Sequence, residues 1–61
     1  MTIVITMKEP NPDWNNLNCK IYDDITYCQT VLGKFQMYHI NIQTNSTIIE
    51  LDKIDNIMIV P

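Results

Sequence analysis

The closing segment "NSTIIELDKIDNIMIVP" constrains the fold of this chain more than any other stretch. Thr47 and Glu50 stand three apart, the spacing of a helix-capping box. As a helix, the segment would spread Ile48, Ile49, Leu51, Ile54, Ile57, Met58, Ile59 and Val60 around most of its circumference. A helix that is apolar all round needs burial all round. A chain of 61 residues cannot supply it. As two strands, "TIIEL" and "NIMIV", the same residues alternate sensibly, with Ile49, Leu51, Ile57 and Ile59 directed inward. The insert "DKID" is then a polar turn, with Ile54 folded back as its apolar plug.

Composition supports strands elsewhere. Alanine is absent, and isoleucine, valine and threonine are frequent. β-Branched side chains fit a pleated sheet and lose rotamer freedom in a helix. "TIVITMK" alternates Ile3, Ile5 and Met7 against Thr2, Val4 and Thr6, and Pro10 and Pro12 are expected to end that strand. The loop "EPNPDWNNLN" carries Trp14 and Leu17, which need cover. It has room for one short helical turn near residues 13–18, with Asp13 as its cap.

Residues 19–32 carry two signals. Trp14, Leu17, Ile21, Ile25, Cys28 and Leu32 follow steps of three and four, whereas Cys19, Ile21, Ile25, Tyr27 and Val31 fall at steps of two. Poor helix formers (Asn15, Asn16, Asn18, Thr26, Thr30) tilt the balance toward strand. Asp23 and Asp24 mark a bend within it. Gly33 suits a tight turn into "KFQMYHINIQT", where Phe35, Met37 and His39 share one face and Tyr38, Ile40 and Ile42 the other. "TNS" is the next turn, with Asn45 able to adopt a left-handed conformation.

The expected fold is all-β: one domain over residues 1–61, a five-stranded antiparallel meander that curls as sheets twist. With a short turn between the last two strands, this arrangement resembles the small SH3-like barrels. The resemblance is one of architecture and implies no function.

Chemistry-bearing residues are few. His39 is the lone histidine, so any hydroxyl or thiol relay must use it, with Ser46, Cys19 or Cys28 as partner. Its mid-strand position favours a sheet or interface histidine. Two cysteines and one histidine fall short of a four-ligand zinc site, and packed thiols are the expectation. Asp23 and Asp24, adjacent on a strand, point apart. Glu50, Asp52 and Asp55 lack the glycine and spacing of a calcium loop. A single glycine excludes Gly-rich phosphate cradles. We therefore expect no catalytic residue, no cofactor and no metal, and a chain that is not an enzyme.

Four lysines stand against seven acids, with no arginine and no basic run, which disfavours nucleic acid. The rival reading, a small barrel stacking nucleotides or single strands on Tyr22, Tyr27, Phe35 and Tyr38, would need Lys20 and Lys34 beside those rings. No stretch approaches the ~20 apolar residues of a membrane span, and "MTIVITMKEP" does not read as a signal peptide. A cytoplasmic chain with reduced thiols is the expectation.

A domain this small buries only about 60% of its unfolded surface. Apolar residues occur on both sets of strand faces, and aromatic residues and Met favour interface centres. The expected interaction surface is Trp14, Tyr22, Tyr27, Phe35, Met37 and His39. These features point to a homodimeric protein–protein interaction module, of the kind that phages encode to inhibit a host or defence protein. A structural subunit of a larger assembly is the third reading.

Overall fold

The computed structural model describes residues 1–41 and 46–61. Among these described residues, six strands form two antiparallel three-stranded sheets. They are β1 (Thr2–Asn11), β2 (Leu17–Tyr22), β3 (Ile25–Val31), β4 (Lys34–His39), β5 (Thr47–Glu50) and β6 (Ile54–Val60). The first sheet has the order β2-β1-β6 and the second β3-β4-β5. No helix is long and apolar enough to cross a membrane among the described residues.

The all-β expectation stands in this form, but the strand count and the closed barrel do not. Asp23 and Asp24 separate β2 from β3, so the expected second strand is two strands in different sheets. The first strand is paired on both sides, with β2 and with β6, so the order is not a simple meander. The two sheets are not joined into a closed barrel.

The ends of the elements follow from local chemistry. β1 continues through Pro10 instead of stopping there. Its register with β2 breaks between Thr6 and Asn11, and in that gap a missing N–H costs no ladder bond. The short helical turn occupies Pro12–Trp14 rather than residues 13–18. Its cap is Asn11, whose side-chain oxygen accepts from the Asp13 N–H at 2.9 Å. Asn15 and Asn16 then take left-handed conformations, φ 58° and 61°, which asparagine tolerates better than most residues. Residues 19–32 are strand on both sides of the Asp23–Asp24 break.

The tail is two strands. A single 3₁₀ turn, Leu51–Lys53, links β5 to β6, and Ile54 is buried opposite Met7. Thr47 lies in a strand, so its spacing to Glu50 caps no helix. The expected turn at Asn45, and Ile42 before it, fall outside the described residues.

The core lies between the sheets. Ile3, Ile5 and Met7 of β1, Tyr22 of β2, Ile25 of β3, Phe35 and Met37 of β4, and Ile54 of β6 are buried. Trp14, Cys28, Ile49, Leu51 and Ile57 pack around them. Two register steps decide which side chains enter it. In β3 the pairing slips between Ile25 and Tyr27, so Ile25 and Cys28 both face inward while Tyr27 and Val31 turn outward. In β6 the pairing slips at Asp55, so Ile54 and Ile57 both face inward. The alternation expected for Ile25, Tyr27 and Val31 is broken by the first of these bulges.

Candidate interaction surfaces

Of the six residues expected at an interaction surface, Tyr22, Phe35 and Met37 lie in the core. Trp14 is half-buried against that core, and His39 is half-buried within a hydrogen-bonded cluster. Only Tyr27 is exposed. Its ring lies beside that of Tyr38 on the outer face of the second sheet, centroids 5.7 Å apart. Gln29 donates to the Tyr38 hydroxyl at 3.2 Å and to Gln36 at 3.1 Å, and Gln36 donates to Ser46 at 2.9 Å. This face therefore carries a polar ladder and one aromatic pair, with Val31 and Ile48 also exposed on it.

The lysines have partners of their own. Lys20 Nζ sits 5.1 Å from the Tyr22 ring centroid and 5.8 Å from that of Trp14. Lys34 faces Glu50 at 3.9 Å. With Tyr22 and Phe35 in the core, two of the four rings considered for base stacking are enclosed by the fold.

His39 joins three elements. Its Nδ1 lies 2.9 Å from Asp24 Oδ2 at the corner between β2 and β3. Its Nε2 lies 2.7 Å from Thr47 Oγ1 on β5. A carboxylate only accepts, so Nδ1–H donates to Asp24, and in the neutral ring Nε2 accepts from the Thr47 hydroxyl. The Tyr22 ring meets the imidazole edge-on at 6.0 Å. Burial, and then the nearby Asp24 charge, hold the Tyr22 phenol above its ordinary pKa of 10.0.

The order hydroxyl, imidazole, carboxylate is that of a nucleophile relay. A working relay also needs space for a substrate beside the hydroxyl and donors aimed at its developing charge. A groove of about 580 Å³ begins at Ile48, and neither Thr47 nor His39 lines it. It runs between residues 7–13 and β5 with its following turn, over a floor of Met7 and Ile49, and its rim carries both signs of charge. The cluster ties the corner to β4 and β5. Sequence reading missed Asp24 and Thr47 as partners because the corner and the pairing of β5 with β4, not spacing, bring them to His39.

Two other features stand out. Leu32, with Gly33, forms the β3–β4 turn at φ 53° and 75°, a pair of positive values that fits a type I′ hairpin. Leu32 is 93% exposed. The outer face of the first sheet carries an apolar row between Thr6 and Thr2. Val4 pairs with Ile21 on one side and Met58 on the other, and Thr2 pairs with Val60. Ile21, Met58 and Val60 are all exposed. Cys19 is exposed on this same face opposite Thr6, so only Cys28 packs as a core thiol.

No protein-family model, no curated protein and no solved structure matches this chain.

Proposed function

We propose that the chain is a non-enzymatic protein–protein interaction module, a cytoplasmic homodimer that inhibits a host or defence protein by covering its surface, as small phage-encoded proteins do. The observation that carries this reading is the apolar row Ile21–Val4–Met58 across the outer face of the first sheet. Scattered apolar side chains need no explanation, but a contiguous row on one face marks an interaction site. If β2 and β3 are two halves of one strand bent at Asp23–Asp24, five strands remain. The pairing of β1 with β6, and the 3₁₀ turn before β6, support an SH3-like barrel that has opened at a seam.

Capture from a bacterial lysate tests the function. The native chain should retain one protein in stoichiometric amount. Ile21→Lys, folded by circular dichroism, should lose it, and Asp52→Asn, away from this face, should keep it. No partner, or a partner that Ile21→Lys still retains, contradicts the reading.

A further inference from the structure

We infer that the homodimer forms by antiparallel pairing of β6 with β6 of a second copy, giving one continuous six-stranded sheet. This rests on the homodimer reading above and specifies its contact.

β6 is an edge strand, with β1 on one side and no strand on the other among the described residues. Its exposure is of an unusual kind. Ile59 shares the inner face with its partner Ile3, yet Ile3 is 0% exposed and Ile59 is 51% exposed. Met58, on the outer face, is 53% exposed, and Val60 beside it is exposed as well. The same short run is thus apolar and open on both faces. A flat partner surface can cover one face only. An added strand covers both, and its backbone pairs with the free edge groups.

The other edges carry the usual safeguards. β2 has Lys20 at its middle, β5 is only four residues long, and β3 is bulged after Ile25. β6 is bulged as well, at Asp55, but beyond that bulge Asn56–Val60 has neither charge nor proline to turn away an incoming strand.

A second copy fits this edge by symmetry and charge. Side chains directly opposite across a ladder point to the same face. A two-fold axis at Met58 therefore sets Met58 against Met58 and Ile57 against Ile59 of the other copy. Ile59 then finds inner-face cover from the partner's Ile57. Asp55 faces the partner's Pro61, which holds the two Asp55 carboxylates about 20 Å apart, beyond the ~10 Å screening length. A net charge of −3 on each copy is then no local obstacle.

Area sets the strength. A strand of seven residues is about 24 Å long. With side chains on both faces, it covers on the order of 500 Å² per copy, below the ~800 Å² of a standard interface. The dimer is accordingly reversible and concentration-dependent.

Amide hydrogen exchange on the full chain, at micromolar and at millimolar concentration, tests this contact, with sedimentation run in parallel. The expected result is exchange slowed about tenfold in Asn56–Val60 at the higher concentration, with β2 unchanged. Ile59→Lys and Met58→Lys, each checked for native fold, should both stay monomeric and lose the concentration effect. A dimer whose β6 amides exchange equally at both concentrations overturns the edge contact and leaves the homodimer standing. So does a dimer that persists in both lysine variants. A mass that stays monomeric at millimolar concentration overturns both. β6 protection that appears only when another protein is added overturns self-pairing.

Discussion

Leu32 occupies a backbone position that suits glycine or asparagine, and its side chain touches almost nothing. A left-handed conformation costs an ordinary side chain roughly 1–2 kcal/mol, and asparagine less. Leu32→Asn should therefore stabilise the isolated chain by about 1 kcal/mol, raising Tm by roughly 4–8 °C in a domain of this size. An unchanged or lowered Tm would show that Leu32 makes a contact this conformation does not reveal. Tyr22 gives a second test. Its folded pKa lies above 10.0 because burial, and then Asp24, disfavour the phenolate. Its stabilising share is whole below pH 10, and is lost as pH rises from there through the raised folded value. Urea midpoints should fall on that alkaline limb, and Tyr22→Phe should flatten the fall relative to the native chain.

The elements were largely legible in the sequence, and where they were not the cause is specific. The alternation of Ile3, Ile5 and Met7 marks β1, and the polar insert in the tail marks the turn between β5 and β6. Two of the helix-like steps came from bulges, and exposed Leu17, Ile21 and Leu32 shared that spacing without sharing a face. Ile25 and Cys28 both face inward at a spacing of three, as do Ile54 and Ile57, because each pair spans one extra residue. A strand with a bulge mimics a helical period, and no composition rule separates the two. The His39 cluster was not legible, since Asp24 reaches it from the corner between β2 and β3 and Thr47 through the pairing of β5 with β4. Thr47→Val keeps the side-chain shape but leaves His39 Nε2 without its donor, so it should cost about 1–2 kcal/mol. Asp24 has a side chain 50% exposed to solvent, and Asp24→Ala should cost under ~1 kcal/mol. Equal losses in chemical denaturation would contradict this division.

At the scale of the molecule, eight buried side chains among the described residues hold two small sheets together. Phe35 and Met37 sit at the centre, and truncation of a buried phenylalanine costs about 3–5 kcal/mol. A chain this small has little to spare, so Phe35→Ala should lack a cooperative thermal transition. Two-sided apolarity was legible, but its location was only partly so. Of the side chains expected at the surface, Tyr22, Phe35 and Met37 became the core and Tyr27 stayed open, while Ile21, Met58, Ile59 and Val60 are among the further open residues. The burial of an aromatic residue depends on which face a bulge assigns it, and composition carries no record of that. The account's central claim, that Met58, Ile59 and Val60 of β6 join two copies, is tested most directly by sedimentation equilibrium from micromolar to millimolar concentration. It predicts a mass rising from 7.2 kDa toward twice that value. A mass of 7.2 kDa throughout would contradict it.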